Sequence, residues 1–449
     1  MRNGYTELMM TKKASNIALI AALGGFLFGF EVSVISGAEQ VIQKLWELDS
    51  FWLGFTVASS LIGTVLGSLI IGKPTQKYGR KPVLFLIAAL YLLSAIGCAI
   101  VSSWLIFVLF RFLGGIAVGA SSVVGPMYIS EIAPAKIRGR LAGMFQLNIV
   151  AGILVAYLTN YLLAGYGGDE SWRYMLAAMG VPAIVFFILL FFIPESPRWL
   201  AVSGKITEAQ LIFQQLGQEE ALKQVLDEHN KQDKGKKESL FNGKYNKPIF
   251  YAMLLAMFNQ LSGINAILYY APRVFEMAGF DRADAFQQSV FIGLANFIFT
   301  MLAMTVIDKF GRKKLLLIGA AGMTVFLVLT ATNLMNVSEA NPLTLVYLVG
   351  FIACFAFSQG AVIWVFIAEI FPNAVRAQGA ALGSFTHWIM AAVISWVFPI
   401  IVEGSVLGGF YSFVFYGIMM LLSFLFIWRV MPETKGKSLE QIQQELGIK

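Results

Sequence analysis

Glu31 and Arg111 are the residues whose positions most need a chemical reason, because each is a full charge inside an apolar run long enough to cross a bilayer. A charged side chain near the centre of a span costs about 2.5–3.5 kcal/mol on insertion scales, so each needs a partner, water or a function. Glu31 lies six residues before Gly37, where its run ends, and Arg111 lies seven after Trp104, where its run begins. At roughly 1.5 Å per residue, both sit about 10 Å below the same surface and can meet. Such a pair either fixes helix packing or acts as a proton switch, with Glu31 ionised beside Arg111 and neutral when the arginine withdraws. Burial and a neighbouring guanidinium act in opposite senses on a carboxyl's hold on its proton, so geometry alone can reverse its state.

A second set of side chains is polar without charge. Gln146, Asn259, Gln260, Asn265 and Asn296 fall within apolar runs, as do Trp364 and the adjacent His387 and Trp388. A carboxamide offers donors and an acceptor together, matching the alternating demands of sugar hydroxyls, and an indole offers a flat apolar surface to the C–H face of a pyranose. Taken singly, each amide is explained by hydrogen bonding between helices. Together at mid-span, mostly in the second half of the chain, they suggest a cavity lined for a polyol.

The elements that must carry these residues are membrane helices. Of 449 residues 58% are apolar and 13% charged, against about a quarter charged in a soluble domain, and the mean hydropathy is +0.72. Runs able to cross about 30 Å of hydrocarbon recur near 16–37, 52–72, 82–101, 104–128, 139–163, 174–193, 248–271, 286–307, 315–335, 343–368, 378–402 and 408–428. Only helices satisfy their own backbone within such runs, so an all-α membrane protein of twelve transmembrane helices is expected.

The net charge of +7 does not point to nucleic acid, because 28 of the 33 Lys and Arg fall on one side if the N-terminus is cytoplasmic. That bias implies a multi-pass protein of the plasma or inner membrane with N- and C-termini both in the cytoplasm. Lys44, Arg173, Arg273 and Arg282 are assigned to the opposite side. Lys12 and Lys13 precede the first run and make it a signal-anchor and first helix rather than a cleaved leader. Cys98 and Cys354 lie within apolar runs, one in each half, so no disulfide framework is indicated. His229 and His387 are the only histidines, and neither a metal-ligand spacing nor a nucleophile beside a base is present. The sequence therefore suggests no enzyme, no metal and no cofactor, and it indicates no obligate protein partner.

Charged and turn residues repeat across the two halves. Glu131-Ile132-Ala133-Pro134 with Arg138 returns 238 residues later as Glu369-Ile370-Phe371-Pro372 with Arg376. Pro194-Glu195 returns as Pro432-Glu433 at the same offset, and Gly79-Arg80-Lys81 returns as Gly311-Arg312-Lys313 at 232. Repetition at half the length in a chain of spans implies two repeated bundles. The expected division is 1–193 for an N-terminal six-helix bundle, 194–247 for a cytoplasmic linker, 248–430 for a C-terminal six-helix bundle and 431–449 for a tail. Leu211, Ile212, Leu216, Leu222, Val225 and Leu226 give the linker a helical rhythm, which predicts short amphipathic helices, with Lys231 to Lys237 as a solvated link. Gly114, Gly115 and Gly119 beside Ala117 and Ala120 form one small-residue face, and Gly63 and Gly67 another, so close helix approach is expected.

These residues together resemble the sugar porter family of the major facilitator superfamily over essentially the whole chain. The resemblance rests on Gly79-Arg80-Lys81, Arg111 with Gly114-Gly115, Pro194-Glu195-Ser196-Pro197-Arg198, the run Gln260 to Tyr270, Gly311-Arg312-Lys313 and Pro432-Glu433-Thr434-Lys435-Gly436. It implies two six-helix bundles, each of 3+3 inverted repeats, and one sugar site near the midplane. By motif, Gln146, Gln260, Asn265, Asn296 and Trp364 match positions that hold the sugar, and Phe28, Tyr269 and Tyr270 match aromatic positions around the site and its outer gate. Arg80, Glu131, Arg138, Glu195, Arg312, Glu369, Arg376 and Glu433 match a cytoplasmic charge network that closes the inner side.

The chain also departs from the family pattern. Glu31 stands where proton-coupled members carry Asp and passive facilitators carry Asn. Asn259 replaces the usual Gln, Ile153 stands where some pentose symporters have Gln, and His387 where Asn or Gln is usual. Gln76 replaces an acid before the first Gly-Arg-Lys, and Ala361 and Val362 stand where a proline is common. The resemblance and the retained acid lead to the expectation of a secondary active transporter that carries a monosaccharide, hexose or pentose, together with a proton. Passive facilitation on the same fold, and sugar sensing at the membrane, are the alternatives.

Overall fold

The computed structural model describes residues 2–134, 137–232, 238–335, 340–372, 374–435, 437 and 439–446. Among the described residues, twelve helices are long and apolar enough to cross a membrane: Met10–Gly37, Ser50–Ile70, Arg80–Ile100, Trp104–Ile132, Arg138–Leu163, Gly168–Phe192, Asn246–Met277, Arg282–Ile307, Arg312–Met335, Leu343–Ile367, Arg376–Gly404 and Gly408–Arg429, here spans 1 to 12. The described residues contain no strand. Several helices outrun the apolar stretches that predict them, because a helix continues through polar residues once its backbone bonds propagate. Span 7 reaches Met277, so Arg273 lies inside a helix, not in the loop to which its charge assigns it.

Spans 7 and 10 are interrupted by residues with non-helical backbone angles. Span 7 consists of helices Asn246–Leu261 and Ile264–Met277, separated at Ser262 and Gly263, and the second is kinked again at Tyr270, where φ is −130° and ψ 25°, just before Pro272. Span 10 breaks at Ser358, with φ −119° and ψ −89°, between helices Leu343–Phe357 and Gln359–Ile370. The missing proline at Ala361 and Val362 therefore does not keep this span straight; the break falls three residues earlier.

By packing, the chain divides into two compact units, Met1–Glu31 with Gly63–Ile153 and Leu176–Lys236, and Val32–Ile62 with Leu154–Met175 and Lys237–Lys449. In the first unit, Gly63 and Gly67 of span 2 lie against the backbone of Phe112 and Ile116 in span 4, and Gly119 returns the contact on Thr64. The helices Pro197–Val202, Ile206–Gln215 and Ala221–Gln232 form a small core of their own around Leu200, Ala209, Phe213 and Val225. Leu211 is exposed, contrary to the rhythm that included it, because the buried stripe of its helix runs through Ala209 and Phe213. The Lys231 to Lys237 link beyond Gln232, Gly436 and the side chains of His229 and Asp308 lie outside the described residues. In the second unit, the terminal helix Leu439–Leu446 buries Ile442 and Leu446 in a core shared with Ile363, Ile367 and Ile370.

Each Gly-Arg-Lys motif makes a sharp turn between helices. Gly79 and Gly311 have φ of 98° and 89°, a region that L side chains disfavour. A Cβ at either would also press on a carboxylate, Glu195 in one case and Glu433 in the other.

Candidate functional site

Span 1 and span 4 bring Glu31 and Arg111 into direct contact: Arg111 Nη1 donates to Glu31 Oε1, and both side chains are buried. Arg111 Nε and Nη2 are buried with no hydrogen-bond partner among the described residues. Gly114, one turn along span 4, makes room, since a Cβ there would collide with Ser94 Oγ and stand 3.0 Å from Glu31 Oε1. A buried charge pair satisfied at one nitrogen of three is held by attraction without a full set of hydrogen bonds, and a proton or a competing polar group can replace that single contact.

In the second unit the break in span 7 turns Asn265 back on Gln260. Asn265 Nδ2 donates to Gln260 Oε1 at 2.7 Å, and Gln260 Nε2 donates to Asn259 Oδ1 at 3.0 Å. The same Nε2 lies 3.1 and 3.3 Å from the two ring nitrogens of His387. Asn259 Nδ2 reaches the Gln359 carbonyl at 3.3 Å, just past the break in span 10. His387 lies between two indoles, 4.8 Å from the Trp364 ring and 4.9 Å from that of Trp388. Asn259, Gln260 and Asn265 are buried, whereas Trp364 is 36% exposed.

Asn296 is buried in span 8 but is not hydrogen-bonded to these amides. Tyr269 is buried, and Tyr270 donates to the Ser395 carbonyl at 2.8 Å and packs on Phe398. Gln146, half-buried, and Phe28, buried, belong to the other unit.

The repeated charges form two matching clusters, one in each unit. Arg80 Nε and Nη2 grip Glu131 at 2.8 and 2.7 Å, Ser196 Oγ donates to Glu131 at 2.5 Å, and Glu195 accepts the backbone N–H groups of Arg80, Lys81 and Ser196. Arg312 Nη2 donates to Glu369 at 2.9 Å, Thr434 Oγ1 donates to Glu369 at 2.6 Å, and Glu433 accepts from the backbone of Arg312 and Lys313. Burial pushes the Glu195 carboxyl above its ordinary range, against the pull of those N–H donors. Arg138 and Arg376 are peripheral: Arg138 Nε has no partner among the described residues, and Arg376 reaches only the Phe371 carbonyl at 3.4 Å.

One cluster escaped sequence reasoning. At the end of the second unit's spans opposite Gly311, Arg273 uses all three guanidinium nitrogens. Nε and Nη2 form a fork on Glu39 at 3.0 and 2.7 Å, Nη2 also reaches Gln43 Oε1 at 2.7 Å, and Nη1 reaches Glu403 at 2.8 Å. Burial pushes the Glu39 carboxyl above its ordinary range while Arg273 draws it back. The available signal was an arginine three residues past Tyr270, less than one helical turn from the end of a span.

Residues 17–446 match the family model described as Sugar (and other) transporter. The sequence is 36% identical to the arabinose-proton symporter of Bacillus subtilis over 437 residues, 95% of this chain and 94% of that one. It is 36% identical to the D-xylose-proton symporter of Escherichia coli over 468 aligned positions, again 95% and 94% of the two chains. Among solved structures, the inward open conformation of the xylose transporter XylE from E. coli is similar, with a TM-score of 0.85 and 34% identity over 96% of this chain and 99% of that one.

Proposed function

We propose that this chain, which belongs to the sugar porter family of the major facilitator superfamily, is a proton-coupled symporter of a monosaccharide, a pentose or hexose. It is a transporter and a multi-pass integral membrane protein with the major facilitator fold. The observation that carries the coupling is the buried Glu31–Arg111 contact. A proton and the guanidinium compete for one carboxylate, so protonation frees Arg111 and an ionised Glu31 recaptures it. The proton symporters among the relatives support the same reading for this chain.

Sugar hydroxyls are met by Asn259, Gln260, Asn265, Asn296 and His387, with Trp364 and Trp388 stacking on the ring. Gln146 is a further candidate contact, and Phe28, Tyr269 and Tyr270 are candidate gate residues. The two Arg–Glu clusters face the cytoplasm, with both termini, in the plasma or inner membrane. The Arg–Glu pairs are only partly exposed, and their cost of separation is kept modest enough to be met in every cycle of alternating access between an N-terminal and a C-terminal six-helix bundle.

The test is uptake into proteoliposomes. A pH gradient is expected to drive uphill sugar accumulation, and Glu31→Gln to abolish it while downhill exchange stays measurable. Accumulation that survives in Glu31→Gln removes Glu31 from the coupling; no accumulation in the unsubstituted protein makes it a facilitator.

A further inference from the structure

The part of span 7 beyond Tyr270 is a short lever. It is joined to the rest of the span through a non-helical residue, and Pro272 brings no backbone N–H to bridge the kink. On the near side of the kink the chain is fastened: Tyr157 donates to the Leu268 carbonyl at 2.7 Å and Tyr270 to the Ser395 carbonyl at 2.8 Å. On the far side the polar fastenings are two. Arg273 is bound by Glu39, Gln43 and Glu403, and Glu276 accepts from Gln40 Nε2 at 2.7 Å.

Three separate stretches of chain meet at this arginine. Glu39, Gln40 and Gln43 belong to the seven-residue helix Glu39–Leu45 between spans 1 and 2, Glu403 ends span 11, and Gln43 Nε2 ties the two together through Glu403 Oε1 at 2.8 Å. Glu39 is 0% exposed and Arg273 12%, so the fork between them is shielded from water. A bidentate guanidinium–carboxylate contact is both strong and directional, and Lys cannot reproduce it. A cavity beside it, lined by Gln40, Gln43, Lys44, Arg273, Glu276 and Met277, leaves the lever room to move.

We propose that Arg273 is the positioning residue that seats the end of span 7, and that the transport cycle opens this face by releasing it from Glu39, Gln43 and Glu403. The inference rests on the alternating-access reading but not on Glu31. Weakening the seat shifts the population toward the state open at this end. The affinity for sugar offered from this side then improves, because the competent state is no longer a minor one.

Val274 is buried on the lever, so a cysteine in its place reports unseating to a membrane-impermeant maleimide. In Val274→Cys protein, adding Arg273→Gln is expected to raise the labelling rate several-fold from this face and to lower the KM for sugar there. Adding Arg273→Lys is expected to give an intermediate rate. A merely structural arginine would lower the melting temperature and leave the labelling rate of the folded protein unchanged, and that result overturns the proposal. Should Arg273→Gln not fold, Glu403→Ala, which removes the Nη1 partner and its tie to Gln43 but leaves the fork on Glu39, decides by the same labelling. Loss of uphill accumulation in Glu31→Gln tests the symport reading separately and does not alter this outcome.

Discussion

Arg111 meets Glu31 through Nη1 alone, while its Nε and Nη2 have no partner among the described residues. Arg273 meets Glu39 through two nitrogens and uses the third on Glu403. The two arginines thus do different work: one holds a carboxylate by a single bond that a lysine can imitate, the other by a fork that it cannot. Arg111→Lys is expected to remain folded and to keep measurable gradient-driven uptake. Arg111→Ala strands Glu31 in the interior and is expected to cost about 3–5 kcal/mol, read as a lower melting temperature in detergent. Equal melting temperatures for Arg111→Ala and the unsubstituted protein would show that the pair does not hold the spans.

The proposed sugar site is tested by binding. Gln260 joins the amides to His387, and Trp364 is the half-open ring beside them. Gln260→Ala and Trp364→Ala are each expected to weaken sugar binding by about 1–2 kcal/mol, roughly five- to thirty-fold in Kd. Unchanged affinity in both would place the cavity elsewhere.

Ser196 and Thr434 stand 238 residues apart and donate to equivalent carboxylates. Ser196→Ala and Thr434→Val each remove one hydrogen bond to a charged group and are expected to cost about 1–2 kcal/mol in thermal melts. A large loss in one and none in the other would show that the repeats no longer share a role.

Gly79→Ala and Gly311→Ala force a side chain into positive φ and against Glu195 or Glu433. Each is expected to destabilise by about 1–2 kcal/mol or more. Circular dichroism melts of the purified variants check it; an unshifted melt would mean the turn can rebuild with a negative φ.

Glu195 gives the pH dependence a sign. Its carboxyl is pushed above the ordinary range by burial, so the folded chain holds that proton more tightly than the unfolded one. The resulting stabilisation is full below the ordinary carboxylate range and is lost as pH rises through the raised value. Glu195→Gln is therefore expected to flatten the fall in melting temperature across that window; a variant with the same slope would assign the effect to another group.

The spans were legible because hydropathy over some twenty residues is a strong, additive signal. The meeting of Glu31 and Arg111 was legible too, since depth along a helix follows from counting residues. Arg273 was not. A basic residue just past an apolar run reads as a loop charge, and the carboxylates that seat it, Glu39 and Glu403, are distant in sequence. Nor was the break at Ser358 legible, because the sequence cue for bending, a proline, is missing where the helix bends. Leu211 shows the same limit at small scale: apolar rhythm names a stripe, and neighbouring helices choose which edge of it is covered.

Gly63 and Gly67 place the main chain of span 2 directly on the main chain of span 4, with no layer of side chains between. Two rods that touch at their cores have nothing to re-sort when they are pushed, so a force on one is delivered to the other undiluted. A single methyl group at either glycine would act as a wedge, prising the rods apart along their shared length.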